Sequence, residues 1–328
     1  MPGADASQLA ARVLEGDRRA VAQAITLLES KRPEDRRPGR QLLEELIPHS
    51  GKSIRVGISG APGVGKSTFI ESLGNYLIDE GHKVAVLAVD PSSALSGGSI
   101  LGDKTRMERL SQRTEAFIRP SPAGETLGGV ARRTRETMLI VEAAGFDVVL
   151  VETVGVGQSE TTVAQMTDMF VLMLLPGSGD ELQGIKRGIV EMADLILVNK
   201  ADGNLKLAAE QSVTDYHNAL SFMHPRAANW EVPVEACSAL DGEQAEHVWN
   251  IVQQFKSSRE AEGLIEANRA AQAKSWMWNE IRNGLVERLK ANPEVAKKVV
   301  ELEKAVIDNQ LSPTSAADEL MDIFSGNR

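Results

Sequence analysis

One stretch of the sequence, Gly60-Ala61-Pro62-Gly63-Val64-Gly65-Lys66-Ser67, directly follows an apolar run at residues 54–59. A helical pattern continues from Thr68, and the order strand, glycine-rich loop, helix is typical of a phosphate-binding loop. The glycines let backbone N–H groups surround phosphate oxygens, and Lys66 places a positive charge on the β- and γ-phosphates. The hydroxyl of Ser67 is suited to Mg²⁺, and the amino end of the helix favours an anion. Residues 60–68 therefore predict that the chain binds a nucleoside triphosphate.

A second motif concerns the base of the nucleotide. Asn199-Lys200-Ala201-Asp202 follows the apolar run 195–198, at the carboxyl end of a predicted strand, where open α/β sheets bind ligands. The carboxylate of Asp202 can accept hydrogen bonds from the ring N–H and the exocyclic amine of guanine, whereas adenine has neither donor on that edge. Ser238-Ala239-Leu240 follows another apolar run and is expected to close over the base. We therefore expect GTP and GDP to bind, and ATP to bind poorly.

Apolar runs alternate with helical patterns between residues 54 and 255, which predicts a doubly wound, mainly parallel α/β sheet. The runs are almost continuously hydrophobic, as expected for a sheet covered on both faces. Strands are expected at Ile54–Ser59, Val84–Val89, Ala116–Arg119, Val148–Glu152, Met169–Leu174, Leu195–Asn199 and Val232–Ala236. Helices are expected at Lys66–Glu80, Gly129–Ala144, Leu182–Met192, Leu205–Leu220 and Glu243–Lys256.

Helical patterns also flank this core. Residues 6–30 and 40–47 carry apolar side chains at spacings of three and four, and two further amphipathic helices are expected on either side of Pro293. The C-terminal helices either pack back on the α/β domain or pair with a second copy of the chain. Trp276, Trp278 and a long apolar stripe favour pairing. We expect three parts: an N-terminal helical extension at 1–50, a nucleotide-binding domain at 51–260 and a C-terminal dimerisation arm at 261–328.

Charge and cysteine content restrict the class of partner. The net charge of −10 disfavours a nucleic-acid or anionic-membrane surface, which would need a basic patch. The N-terminus has no apolar signal-like run and no stretch is long enough to span a membrane, so a cytoplasmic protein is expected. The single cysteine, Cys237, lies in an apolar run and is expected to be a buried small side chain. The five histidines are scattered, so no local zinc or nickel site is expected.

Carboxylates near the phosphate loop are candidates for Mg²⁺. Asp90 ends the second predicted strand, and Asp103 lies in the long polar loop after it. Glu152 ends the fourth strand and can orient either Mg²⁺ or water, while the N–H of Gly155 can meet the γ-phosphate. Together with Ser67, these three carboxylates form the predicted magnesium set. Lys66, Glu152 and Asp103 are the expected catalytic residues.

Three segments are expected to respond to the nucleotide. The first is the long polar loop at residues 91–106, the second is residues 153–160, which include Gln158, and the third is residues 176–186, which include Asp180 and Lys186. Contacts with phosphate would be lost after hydrolysis, which is how switch segments signal. A simple flexible turn is the alternative for residues 176–186. No arginine finger is evident, with Arg106, Arg132 and Arg133 as weak candidates.

Several motifs together resemble the methylmalonyl-CoA mutase-associated GTPases, the family called MeaB or ArgK, from about residue 10 to residue 290. The motifs are G-A-P-G-V-G-K-S-T, V-D-P-S-S, G-G-S-I-L-G-D-K-T-R-M, E-T-V-G-V-G-Q-S-E, P-G-S-G-D-E-L-Q-G-I-K and N-K-A-D. The resemblance implies a P-loop GTPase related to nickel-inserting metallochaperones and a homodimer formed through C-terminal helices. It also implies an adenosylcobalamin-dependent methylmalonyl-CoA mutase as the partner, with GTP controlling cofactor loading and protection from inactivation; a related cobalamin-dependent mutase is the alternative partner. Asp180 and Lys186 match the switch that relays nucleotide state to the mutase.

Other functions remain open at this point. The family has also been described in terms of transport ATPases or kinases, which Asp202 disfavours. A metal-insertion GTPase would be expected to carry a His/Cys cluster, and a nucleotide-locked scaffold would bind a partner without turnover. Glu152 and Gln158 favour hydrolysis over the scaffold.

Overall fold

A computed structural model of the chain describes residues 6–89, 107–120, 127–153, 159–177, 187–222, 229–239 and 242–326. Within these residues, seven parallel strands form one sheet in the order β3-β2-β4-β1-β5-β6-β7. Their bounds are β1 Ile54–Gly60, β2 Val84–Val89, β3 Ala116–Arg119, β4 Val148–Thr153, β5 Met169–Leu174, β6 Leu195–Val198 and β7 Val234–Ala236. The predicted doubly wound sheet is confirmed, and every strand pairing described is parallel.

Helices formed before residue 270 cover both faces of the sheet, and further helices follow in the chain. Their bounds are α1 Ala6–Leu14, α2 Arg18–Glu29, α3 Arg36–Leu46, α4 Lys66–Asp79, α5 Glu108–Gln112, α6 Leu127–Ala143, α7 Ser159–Ala164, α8 Arg187–Val190, α9 Lys206–Leu220, α10 Gly242–Ala261, α11 Leu264–Ala291, α12 Pro293–Ile307 and α13 Pro313–Ser325. One buried cluster joins alternate residues of β1 to α4 and α10, and another joins β2 and β4 to α6 and the N-terminal helices. This two-sided burial explains the near-continuous apolar strands.

The N-terminal segment is helical, and the stretch with helical spacing at residues 6–30 is divided. It forms two helices, because Gly16 adopts a φ of +77° and Asp17 caps α2 by accepting hydrogen bonds from the backbone N–H groups of Arg19 and Ala20. The third helix starts at Arg36, four residues before the expected start. α2 and α3 pack on α6, so this segment forms part of the covering of the sheet.

Aspartates mark the amino edge of the sheet, the edge where the strands begin. Asp147, Asp168 and Asp194 each precede a strand, and each accepts a hydrogen bond from a backbone N–H on a neighbouring strand or just before it. The donors are Lys83 at 2.8 Å, Arg55 at 2.9 Å and Phe170 at 2.8 Å, respectively. These carboxylates therefore tie adjacent strands together at the edge opposite the phosphate loop.

The chain divides into two compact units, residues 1–269 and 270–328. The second unit contains most of α11 with α12 and α13, and α12 packs on α13. The expected pair of C-terminal helices is therefore joined by a third, which begins at Pro313 with Ser312 as its N-cap. The functional boundaries at residues 50 and 260 stay predictions. Among the described helices, none is long and apolar enough to cross a membrane.

Candidate nucleotide-binding site

Three glycines of the phosphate loop have backbone angles that favour glycine. Gly60, Gly63 and Gly65 have φ values of +150°, +79° and +102°. A Cβ at Gly60 would lie 2.3 Å from the carbonyl oxygen of Met173, and one at Gly65 would lie 2.5 Å from Nδ2 of Asn199. A Cβ at Gly63 would have no heavy atom within 4 Å. Gly60 and Gly65 are therefore required by close packing as well as by φ, and Gly63 by φ alone.

Lys66 begins α4, directly after Gly65. Its side chain is buried, and its Nζ donates hydrogen bonds to the backbone oxygens of Gly60 at 2.7 Å and Ala61 at 3.1 Å. The N-cap residue, Gly65, provides no side chain to the first turn of α4, so no side-chain cap occupies the N–H groups there. A buried ammonium beside a helix amino end is an arrangement that binds phosphate.

Two predicted magnesium residues lie together. The hydroxyl of Ser67 donates a hydrogen bond of 3.0 Å to Oε1 of Glu152, whose residue pairs in register with Ile58 of β1 and Ala88 of β2. A carboxylate and a hydroxyl oxygen are ligands that Mg²⁺ accepts, so this pair fits the ion. No group of three or more His, Cys, Asp or Glu side chains suited to a metal occurs in the described part of the chain.

Asn199 connects the phosphate loop to the predicted base-binding segment. Its Nδ2 donates to the carbonyl oxygen of Val64 at 2.7 Å, and its Oδ1 accepts from the backbone N–H of Ala239 at 3.0 Å. Lys200 follows with a left-handed φ of 61°. Asp202 accepts a hydrogen bond of 2.7 Å from the hydroxyl of Ser238. The two motifs, more than 130 residues apart, therefore meet at one edge of the sheet.

Other predicted site residues lie outside the described residues. They are Asp90, Asp103, Gly155, Gln158, Asp180, Lys186 and Leu240, together with Arg106 among the arginine candidates. Arg132 forms an ion pair of 3.1 Å with Glu136 on its own helix. Arg133 lies on the same helix, and the finger assignment stays a prediction.

Two supporting residues were missed from the sequence. Thr153 donates a buried hydrogen bond of 2.9 Å to the hydroxyl of Ser59, which joins the ends of β4 and β1 beside Glu152. The side chain of Gln244 accepts a hydrogen bond from the backbone N–H of Ser238. Thr153 stands next to Glu152 in the sequence and could have been noticed, whereas Gln244 has no local signal.

Known proteins resemble this chain over nearly its whole length. The family described as methylmalonyl Co-A mutase-associated GTPase MeaB matches residues 21–294. A protein of Caulobacter vibrioides named as a GTPase is 51% identical over 324 residues, 99% of each chain. The mouse mitochondrial methylmalonic aciduria type A homolog is 46% identical over 322 residues, which cover 95% of this chain and 78% of the mouse protein. A solved structure described as a LAO/AO transport system kinase is 36% identical, with a TM-score of 0.79 and 99% coverage of both chains.

Proposed function

Because the chain belongs to the methylmalonyl-CoA mutase-associated GTPase family MeaB, we propose that it binds an adenosylcobalamin-dependent methylmalonyl-CoA mutase in the cytoplasm and uses GTP to control that enzyme's cofactor. The chain is a P-loop GTPase, and it converts GTP to GDP and phosphate. The proposed role is to permit the loading of adenosylcobalamin into the mutase and to protect the mutase from inactivation. The family match supports this partner, and the joining of the two nucleotide motifs by Asn199 supports the nucleotide.

The phosphate end of the site is proposed to act through charge and position. Hydrolysis requires attack of water on the γ-phosphorus and cleavage of its bond to the β-phosphate oxygen, and positioning and charge neutralisation supply most of the catalysis. Lys66 neutralises the β- and γ-oxygens, and the N–H groups at the start of α4 hold them in place. Ser67 and Glu152 would hold Mg²⁺, with Asp90 and Asp103 as further predicted ligands. That ion would add positive charge to the phosphates.

The base end of the site is proposed to select guanine. The carboxylate of Asp202 would accept two hydrogen bonds from the base, while the hydroxyl of Ser238 holds the carboxylate in place. Asn199 fixes the distance between this carboxylate and the phosphate loop. Gly155, Gln158, Asp180 and Lys186 are proposed to report the loss of phosphate to the mutase.

The C-terminal helices are proposed to form a homodimer. On α11, Trp278, Ile281 and Leu285 are spaced by three and four residues and are 55%, 42% and 51% exposed. An apolar stripe of this kind is stabilised when a second copy covers it. Sedimentation of Trp278→Glu/Leu285→Glu should show a monomer where the unaltered chain shows a dimer, and two identical sedimentation profiles would reject the interface.

The mutase assignment is tested by titrating the chain into purified methylmalonyl-CoA mutase while following GTP and ATP hydrolysis. We expect GTP-selective turnover that rises when the complex forms, and a slower loss of mutase activity during turnover. Lys66→Ala is the matched control, which should remain folded and lose hydrolysis. Absence of a complex would reject the mutase as partner and leave the GTPase intact, whereas a preference for ATP would reject the guanine assignment.

A second candidate is a transport-associated kinase, because the similar solved structure is described as one. That function predicts ATP selectivity and transfer of the γ-phosphoryl group to a protein acceptor. The same assay with labelled ATP distinguishes it, since a GTPase releases free phosphate. A metal-insertion GTPase is the third candidate, and no described metal cluster favours it.

A further inference from the structure

A short basic segment stands out against the acidic composition of the chain. Residues 31–40 carry five basic and two acidic side chains, a local net charge of +3 in a chain of net charge −10. Four arginines in it are exposed, and none of their side chains has a hydrogen bond or ion pair among the described residues. We call these four the arginine turn, and they are Arg32, Arg36, Arg37 and Arg40.

Stability of the fold does not account for these charges. Arg36 and Arg37 occupy the first turn of α3, which contains no acidic residue, and Asp35 at the N-cap makes no side-chain hydrogen bond to the helix. Cations at a helix amino end are unfavourable because the helix dipole is positive there. The fold would therefore be slightly more stable with acidic residues at these two positions.

The turn is nevertheless held in a defined conformation. The hydroxyl of Ser30 donates a hydrogen bond of 2.5 Å to Asp35, and Pro33 lies within a short 3-10 helix between them. A Cβ at Gly39 would lie 3.1 Å from Cδ2 of Leu28, so α3 approaches α2 closely. The arginines therefore project from packed backbone, which reduces the entropy lost when they bind a partner.

Contacts of α2 place the turn at the nucleotide edge of the sheet. At its start, Arg18 donates to the backbone oxygens of Arg113 and Thr114, just before β3, at 3.0 Å each. At its end, Glu29 forms an ion pair with Arg119, the last residue of β3. α2 thus runs along β3 from the amino edge to the carboxyl edge, and the residues after it lie at the edge that carries the phosphate loop.

We propose that the arginine turn is a docking surface for an acidic patch on the mutase, at the edge where the nucleotide binds. This inference rests on the proposed function and adds the surface and the chemistry of its partner. Arginines in fixed positions pair with carboxylates through two parallel hydrogen bonds, which gives both attraction and orientation. Nucleic acid is the less suitable anion because the chain as a whole is strongly negative.

The test compares Arg36→Glu/Arg37→Glu with Lys52→Glu/Lys83→Glu. The second pair makes the same change of charge at exposed lysines beside the amino edge. We expect the arginine variant to bind the mutase with an affinity about tenfold or more below that of the unaltered chain. Its affinity should also fall less than that of the unaltered chain when the salt concentration is raised from about 50 mM to about 300 mM. Its melting temperature should be unchanged or higher, because the new carboxylates suit the helix dipole. Its GTP turnover without the mutase should be unchanged.

Each outcome has a distinct meaning. Equal weakening by the two variants would show that only overall charge matters and would overturn the docking surface. The docking surface would also be overturned if the arginine variant bound the mutase with an affinity within twofold of that of the unaltered chain. The same holds if the arginine variant lost binding to a DNA duplex while its binding to the mutase stayed intact. If the unaltered chain itself forms no complex with the mutase, the proposed function fails and this surface fails with it.

Discussion

The two edges of the sheet use polar groups in opposite ways. At the carboxyl edge, the loop glycines have positive φ values and the ammonium of Lys66 donates to backbone carbonyls. At the amino edge, charged side chains bind one another. The backbone carbonyls that accept from Lys66 can be replaced by phosphate oxygens, whereas the side chains of a buried ion pair gain little from a new partner.

The amino-edge network contains two ion pairs that share their neighbours. Arg55 binds Glu142 through two hydrogen bonds of 2.7 Å, and Arg269 binds Asp168 through hydrogen bonds of 2.7 and 2.5 Å. Arg269 also donates to the backbone oxygens of Gly51 at 2.5 Å and Ser53 at 2.6 Å. The side chains of Glu142 and Asp168 are 0% exposed.

The ion-pair partners at the amino edge keep the buried side chains charged. Burial alone raises the pKa of Glu142, but hydrogen bonds and charge from Arg55, with bonds from Ser53 and Gly51, lower the pKa below its usual value. Burial likewise acts to lower the pKa of Arg269, and the hydrogen bonds and charge of Asp168 raise it instead. Substitutions of the buried ion-paired side chains at the amino edge should therefore reduce folding stability, and substitutions of the charged side chains that face the nucleotide at the carboxyl edge should chiefly reduce nucleotide binding.

The largest expected effect lies at the carboxyl edge, at Asp202. Asp202→Asn replaces an acceptor that receives two charge-assisted hydrogen bonds, each contributing about 1.5–3 kcal/mol, so GTP affinity should fall by about 10²–10⁴-fold. The xanthine nucleotide has an oxygen in place of the exocyclic amine and should bind the variant better than GTP does. Isothermal titration with GTP and XTP measures both. Unchanged GTP affinity of the variant would show that Asp202 does not bind the base. A large fall in its melting temperature would show that the carboxyl edge also contributes to stability through this side chain, contrary to the contrast between the edges.

At the amino edge, Arg269→Ala should cost about 3–5 kcal/mol of folding free energy, because it leaves the buried carboxylate of Asp168 without its cation. Urea unfolding measures this loss. Arg288→Ala, an exposed arginine of the same helix, is the matched control and should change stability by about 0.5 kcal/mol or less. GTP affinity of the folded Arg269→Ala protein should be unchanged. A loss of GTP affinity with normal stability would reverse the assignment of the two edges.

A smaller effect separates two glycines of the phosphate loop. Gly63→Ala should cost roughly 1–2 kcal/mol, because φ is left-handed but no atom obstructs the new methyl group. Gly65→Ala should cost about 1–2 kcal/mol more, since its methyl group displaces the Asn199 amide that binds Val64 and Ala239. Thermal unfolding without nucleotide compares the two. Equal costs would mean that Asn199 adapts, and its connecting role would then be weaker than proposed.

Much of the fold could be predicted from local sequence. The seven strands agree with the described ones to within two residues at each end, because buried parallel strands are continuous apolar runs bounded by polar residues. The pairing of Ser67 with Glu152 was also predictable, since Glu152 ends one predicted strand, Ser67 lies in the motif that follows another, and the carboxyl ends of parallel strands share an edge. The third C-terminal helix was missed, although Ser312 and Pro313 form a recognisable helix start.

The amino-edge network was not predictable in the same way. Arg55 and Glu142 are 87 residues apart, and Arg269 and Asp168 are 101 apart. Unlike Ser67 and Glu152, these four residues belong to no recognised motif, so the sequence does not indicate which of them pair. Only the repeated aspartate before β4, β5 and β6 gave a local signal. Long-range pairing of charges therefore depends on the folded topology.

The smallest predicted effect concerns the pH dependence of that network. The pKa of Glu142 is lower in the folded state than its ordinary value of 4.5, so the unfolded chain binds its proton first as the pH falls. The stability contributed by this carboxylate is complete above about pH 4.5 and is lost progressively as the pH falls below that value through the folded pKa. Urea unfolding of the unaltered chain should show this decline. Glu142→Gln should lessen the slope of unfolding free energy against pH by up to about 1.4 kcal/mol per pH unit, the limit for one proton.

The variant should also be less stable at neutral pH, because Gln cannot balance the charge of Arg55. An unchanged slope would assign the acid sensitivity to other carboxylates. Glu142 would then act as a hydrogen-bond acceptor whose charge does not affect stability, and the electrostatic distinction between the two edges would not hold at this residue.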